Sequence, residues 1–295
     1  MKSGAPLVAL KSLDQLWFQV TGTLCNLACH HCFISCHPQN HAFGFLDLAT
    51  VRRFLDESIP LGVKEYYFTG GEPFLHPQIA EIVEETLRIG PATVLTNGTV
   101  FRSAVIERLA RAAAASRYSL ELRVSIDGHN PATNDPVRGE GTFASAMRGV
   151  SQLCEAGFLP ILTAVQTWKD RETPARLRAF EAALRAAGCS RPRVKILPTL
   201  RIGMEEKRTR GYGDDEIVTE EMMAGYDEDR LICSHSRVVT DRGVAVCPIL
   251  IEAEGAHLGS TLEDALVPYP LRHRACSTCY QFGAICSNPG SSGSG

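Results

Sequence analysis

Three cysteines stand close together in Cys25-Asn-Leu-Ala-Cys29-His-His-Cys32, with three residues between the first pair and two between the second. Thiolates at this spacing suit a [4Fe–4S] cluster with only three protein ligands, which leaves the fourth iron open to another molecule. An electron carrier usually closes its cluster with a fourth cysteine. Structural zinc is the competing reading, but zinc wants four ligands, and His30, His31 or Cys36 would have to supply the last from awkwardly close by. Cys36 is expected to be a buried bystander thiol. A second set comprises Cys233, Cys247, Cys276, Cys279 and Cys286. Gly243 lies between the first two in a segment that reads as a small hairpin. Hairpin cysteines facing a Cys-x-x-Cys pair can enclose an iron–sulfur cluster, and zinc would accept the same arrangement.

The elements that must position these residues alternate along the middle of the chain. Short apolar runs at 16–20, 65–69, 93–96, 120–126, 159–165 and 193–197 read as strands. Helical periodicity occupies 48–59, 79–89, 104–115, 143–156 and 174–187 between them. This α/β alternation predicts a parallel sheet covered by helices and curved into a partial (β/α)6 TIM-like barrel. A flat doubly wound sheet is the alternative arrangement. In either, function belongs at the carboxyl ends of the strands. The cysteine loop follows the first strand, Gly70-Gly71-Glu72-Pro73 the second, Asn97-Gly98 the third and Asp127-Gly128 the fourth. Taken singly, Gly70-Gly71 and Asp127-Gly128 also suit ordinary tight turns.

The bulk properties narrow the classes. A chain of 295 residues with 44% hydrophobic and 21% charged residues is an ordinary globular composition. The net charge of -3, with scattered arginines, gives no nucleic-acid-binding face. No signal peptide or membrane span is readable, and the eleven cysteines bunch locally rather than forming a secreted disulfide framework. A reducing, cytoplasmic setting is therefore expected, with Cys154 and Cys189 standing apart from both sets. The expected organisation is an N-terminal extension (1–13), a barrel (14–200), a charged linker or lid (201–230), a small cysteine-rich iron–sulfur module (231–289) and a Gly/Ser tail (290–295).

Over roughly residues 14–200 the chain resembles the radical S-adenosylmethionine (radical SAM) superfamily. The resemblance implies that Cys25, Cys29 and Cys32 hold the cluster and that S-adenosylmethionine (SAM) chelates its open iron. One electron would then cleave SAM to methionine and a 5'-deoxyadenosyl radical, which takes a hydrogen atom from substrate. Gly70, Gly71, Glu72 and Pro73 match the family's Gly-Gly-Glu-Pro stretch, where Glu72 or a neighbouring carbonyl would accept from the SAM ammonium. Ser125 and Asp127 would lie near the ribose and substrate, with Asn97 at the matching strand end. Arg138 is similar to an arginine that pairs with the SAM carboxylate, and Val165 with Gln166 would edge the adenine space. The position before the third cysteine is usually aromatic in the family, and His31 departs from that while keeping a flat ring.

The C-terminal set resembles the twitch and SPASM extensions, which carry auxiliary [4Fe–4S] clusters. The full SPASM pattern needs more cysteines than the five present, so the resemblance implies one auxiliary cluster on Cys233, Cys247, Cys276 and Cys279. Cys286 would replace one of these or tie down the terminal loop. The expected activity is oxidative or cross-linking modification of a peptide, with dehydrogenation or other modification of a small metabolite as the alternative. The non-enzyme alternative is an iron–sulfur redox scaffold or sensor. Expected partners are the substrate, a reducing protein such as flavodoxin or ferredoxin, and a separate peptide-recognition protein. Only about fifteen residues precede the first strand, so no recognition domain is expected there. Neither nucleic acid nor membrane is expected as a partner.

Overall fold

The computed structural model describes residues 4–285. In chain order the barrel region contains β1 (Leu7–Val8), β2 (Gln15–Gln19), α1 (Leu48–Ser58), β3 (Glu65–Thr69), α2 (Ile79–Thr86), β4 (Ala92–Thr96) and α3 (Ser103–Ala115). It continues with β5 (Leu120–Ser125), α4 (Pro131–Arg138), α5 (Thr142–Glu155), β6 (Ile161–Val165), α6 (Thr173–Ala186) and β7 (Arg193–Leu197). The remainder holds α7 (Met204–Arg208), α8 (Glu220–Met223), β8 (Ser236–Thr240), β9 (Gly243–Ala245), β10 (His257–Gly259), β11 (Tyr269–Pro270) and α9 (Cys276–Phe282).

Strands β2 to β7 are parallel and lie side by side in sequence order. A doubly wound sheet reverses its strand order at a switch point, and this sheet does not. The winding is therefore that of a partial (β/α)6 barrel. Strand alternation divides the core in two. Leu16, Phe18, Tyr66, Phe68, Val94 and Leu122 pack outward with the helices. Trp17 and Tyr67 face the other way and share a core with Cys25, Cys36, Cys233, Cys247, Cys276 and Cys279.

Three differences from the sequence-based expectations matter for the site. The C-terminal segment does not sit on its own sheet: β8 pairs in parallel with β2, and β9 and β10 extend the same nine-stranded sheet antiparallel. The N-terminal extension is tied in, because β1 pairs with β11 through Leu7–Pro270 and Val8–Tyr269. The segment around Arg138, to which no helix was assigned from the sequence, is the helix α4, capped by Asn130 accepting from the Thr133 amide and begun by Pro131, which suits a first helical position. Cys154 and Cys189, which stand apart from both cysteine sets, meet each other in a disulfide between α5 and the segment after α6. No helix among the described residues is long and apolar enough to cross a membrane.

Candidate radical-initiation site and cysteine hollow

The first site is assembled where the carboxyl ends of β2 to β6 converge. Cys25 is buried, whereas Cys29 and Cys32 are partly exposed, so the loop presents one side outward. Hydrogen-bond donors surround its sulfurs. The Leu27 amide approaches Cys25 Sγ at 3.4 Å and Asn97 Nδ2 approaches the same sulfur at 3.7 Å. The Cys36 amide donates to Cys32 Sγ at 3.3 Å. Cys36 is thus buried directly against the loop. Burial pushes the Cys25 thiol up to about 12 and the Cys29 thiol to about 11, while donation from Cys36 draws Cys32 down. The Cys25 and Cys29 thiols so placed ionise readily only beside a strong positive charge such as a metal supplies.

Asp127 is the hub of the site. Its side chain is fully buried, and Oδ1 accepts from the Val165 amide at 2.7 Å. Its Oδ2 lies 2.7 Å from His31 Nε2 and 2.6 Å from Arg138 Nε. Burial alone would raise this carboxyl, but Arg138 and His31 outweigh it and hold it well below the usual carboxylate range. One carboxylate therefore joins the cysteine loop, the ends of β5 and β6, and α4. Neither Arg138 Nε nor Asp127 Oδ2 meets full hydrogen-bond geometry, so their contact is best described as an ion pair. The Arg138 side chain is only 10% exposed and its positive charge favours ionisation of Cys29. His31 Nδ1 is buried with no partner among the described residues.

Glu72 is turned inward. Its oxygens accept from the Phe74 amide at 3.0 Å, Thr96 Oγ1 at 2.7 Å and the Asn97 amide at 2.7 Å. Complete burial pushes it up to about 7 against those three hydrogen bonds. The carboxylate fixes β3 against the end of β4, and the expectation of an ammonium contact then falls to the neighbouring carbonyls. The glycines before it also serve the protein. A Cβ on Gly71 would lie 2.0 Å from the Leu24 carbonyl oxygen, and one on Gly70 would lie 2.3 Å from Thr21 Oγ1. They let the β3 exit pack against the approach to the cysteine loop. Pro73 opens a short helical turn, and Ser125 closes β5 with a partly exposed side chain.

Asn26 and Thr99 were missed by the sequence reading. Asn97 Nδ2 donates to Asn26 Oδ1 at 2.9 Å, and Asn26 Nδ2 donates to Thr99 Oγ1 at 2.9 Å. The neighbouring charged segment also reaches this loop. The Met204 amide donates to the Cys32 carbonyl at 2.9 Å, so residues 203–204 lie directly on it.

The second cysteine set is brought together. Cys233 precedes β8, Cys247 follows β9, and Cys276 and Cys279 share one face of α9. These four buried thiols line one hollow with apolar neighbours including Leu231, Ile232 and Val246. The predicted hairpin is β8–β9, with Thr240 opposite Gly243. Gly243 has φ +106°, and a Cβ there would meet the Gly259 carbonyl oxygen at 2.4 Å. Burial pushes Cys233 up to about 12 and Cys247 to about 11. Among the described residues, no three Cys, His, Asp or Glu side chains converge as ligands of one metal ion. Cys286 lies outside the described residues.

Comparison with known proteins now bears on this geometry. Residues 20–173, which contain the cysteine loop and every strand-end motif above, match the family model of the radical SAM superfamily. The chain belongs to the radical SAM superfamily. It is 36% identical over 156 residues to the AdoMet-dependent heme synthase of Methanosarcina barkeri, covering 52% of this chain and 42% of that protein. It is 33% identical over 135 residues to the mycofactocin maturase MftC of Mycobacterium ulcerans, covering 45% and 35%. The radical SAM chain thus spans less than half the length of these curated relatives. Its fold resembles Streptococcus suis SuiB bound to the precursor peptide SuiA, with a TM-score of 0.64 and 15% identity over 88% of this chain and 64% of SuiB.

Proposed function

We propose that this protein cleaves SAM reductively and abstracts a hydrogen atom from a peptide, leading to its oxidation or cross-linking. Cys25, Cys29 and Cys32 would hold the three-ligand [4Fe–4S] cluster, and Cys233, Cys247, Cys276 and Cys279 one auxiliary cluster. When bound, the first cluster and SAM supply a one-electron carbon–sulfur cleavage that begins hydrogen-atom abstraction. The chain's own residues hold and shield that chemistry. Asn97 and the Leu27 amide donate toward Cys25, and Asp127 orients His31 and Arg138 beside the partly exposed cysteines. Arg138 offers a buried cation suited to a carboxylate, and backbone carbonyls beside Glu72 suit an ammonium. Ile34 and Leu200 are buried in the same apolar core as both cysteine sets, which suits chemistry that must be kept from water.

The observation that carries this reading is the packing of the open cysteine loop and a closed four-cysteine hollow into one continuous core. That arrangement suits removal of a hydrogen atom at one end and uptake of the remaining electron at the other. A peptide substrate is favoured by the likeness to mycofactocin maturase and the fold of peptide-bound SuiB. The likeness to a heme synthase favours a second reading, oxidation of a small metabolite. A flavodoxin- or ferredoxin-type reductant and a separate peptide-recognition protein belong to the first reading.

Anaerobic reconstitution with iron and sulfide counting tests the cofactors. About eight irons and 5'-deoxyadenosine formation are expected, and about four irons would remove the auxiliary cluster. Cys29→Ala should abolish SAM cleavage, while Cys279→Ala should retain uncoupled cleavage. A fully loaded, reduced sample that leaves SAM intact would sink the enzyme assignment. A short peptide encoded beside the gene, recovered two hydrogens lighter, would separate the peptide reading from the metabolite reading.

A further inference from the structure

Arg237, the second residue of β8, is completely buried. Among the described residues its guanidinium makes four hydrogen bonds, all to backbone carbonyls. Nε donates to Ala265 at 2.8 Å, Nη2 to Val267 at 2.8 Å, and Nη1 to Cys233 at 2.8 Å and Ser236 at 2.7 Å. No carboxylate among the described residues pairs with it, and its Nη1 bond to the Cys233 carbonyl sets it directly beside a cysteine that lines the hollow. Buried arginines are ordinarily paired, because an uncompensated charge out of water costs several kcal/mol. Neutral donors could satisfy backbone carbonyls without that cost. The positive charge itself therefore calls for a buried anion, and the hollow beside Cys233 and Cys247 is where one fits.

We propose that Arg237 is a positioning residue whose fixed positive charge neutralises part of the auxiliary cluster's negative charge and raises its reduction potential. This inference rests on the reading that the four cysteines hold a [4Fe–4S] cluster. Such a cluster is anionic with four thiolates and gains a further negative charge on reduction, so a nearby cation stabilises the reduced form more than the oxidised one. The carbonyl hydrogen bonds hold the guanidinium in place, preventing it from turning away as the cluster changes charge.

The test uses the full chain carrying Cys29→Ala, which isolates the auxiliary cluster, with Arg237→Gln and Arg237→Lys added separately. Iron and sulfide are counted, and the cluster is titrated anaerobically against potential by electron paramagnetic resonance. Arg237→Gln should make the cluster harder to reduce. A unit charge roughly 10 Å away at an effective dielectric near 20 changes the oxidised-to-reduced ratio at fixed potential about tenfold. Arg237→Lys, which keeps the charge, should stay within about twofold of the parent on the same measure. Loading in the Lys variant but not in the Gln variant also supports the proposal. If the Gln variant loads and titrates as the parent does, the proposal is overturned, whatever the Lys variant does. If neither variant loads, the residue serves only to organise carbonyls and the proposal is again overturned. A parent protein without any auxiliary cluster overturns the underlying reading as well, and iron counting separates that outcome from the others.

Discussion

Asp127→Asn replaces one carboxylate oxygen with an amide nitrogen while keeping the side chain's shape, and it strikes the hub of the candidate site. Asparagine Oδ1 can still accept from the Val165 amide, 2.7 Å away in the native protein. Its amide nitrogen, however, would face Arg138 Nε across the present 2.6 Å contact, donor against donor. Arg138 would remain buried without a counter-ion, and breaking a buried pair in this way costs about 3–5 kcal/mol. For a chain of this size that corresponds to a fall of roughly 5–8 °C in apparent Tm. The pH dependence supplies a check on the cause. The folded carboxyl is held below its ordinary value of 3.8, so its stabilisation is fully present above that value and is lost as pH falls toward the depressed folded value. The gap between native and variant proteins should therefore be flat from about pH 5 to 8 and narrow only in more acidic solution. SAM cleavage should fall by about 10- to 100-fold, the usual consequence of releasing residues that orient metal ligands. Matched cluster-loaded samples, scanned anaerobically across that pH range, provide the comparison. A loss below about 1 kcal/mol, or a gap that changes between pH 5 and 8, would refute the reasoning.

Gly71→Ala places a methyl group against the Leu24 carbonyl, and iron retained per chain should drop by more than half, read by iron analysis of matched preparations. Glu72 has the opposite linkage to Asp127. Its folded value of about 7 exceeds its ordinary 4.5, so its ionisation penalises folding as pH rises across that interval, by about 3 kcal/mol in total. Glu72→Gln should abolish this contribution, so the variant's stability relative to native should improve from pH 5 to pH 8 in denaturant titrations; an unchanged difference would count against it. Cys154→Ser should cost about 3–4 kcal/mol in oxidised protein, as expected for a crosslink closing a 35-residue separation. Under a strong reductant that difference should largely vanish, and alkylation with intact-mass analysis reports which state is being melted.

The barrel was legible because short strands rich in aliphatic and aromatic residues recur in regular alternation with amphipathic helices. The cysteine loop and strand-end motifs were legible because their spacing is local. Helix α4 was obscured by Pro131 and Pro136, which read as loop until Asn130 is seen capping it. Two-residue strands such as β1 and β11 carry no periodicity, and their pairing joins positions more than 260 residues apart. Asn26, Thr99 and the inward turn of Glu72 depend on contacts between separate strand ends. Arg237 carries no signal of its own in the sequence, because the carbonyls of Ala265 and Val267 that it binds lie far along the chain.

The pairing of β8 with β2 sets a ruler inside the molecule. These parallel neighbours are in register from Gln15–Ser236 to Phe18–Val239. Cys25 comes after the carboxyl end of β2, whereas Cys233 comes before the amino end of β8. The two cysteine sets therefore begin at opposite ends of a strand pair, and five extended residues span roughly 16 Å. If both cysteine sets hold clusters as proposed, an electron crossing that interval would travel by tunnelling through a fixed medium rather than by contact. The stacked rings of Trp17 and Tyr67, 4.2 Å apart, occupy the middle of this stretch of sheet. Backbone hydrogen bonding thus fixes the spacing of the strand ends from which both sets depart, and under the proposed reading the distance between clusters would be set largely by the sheet.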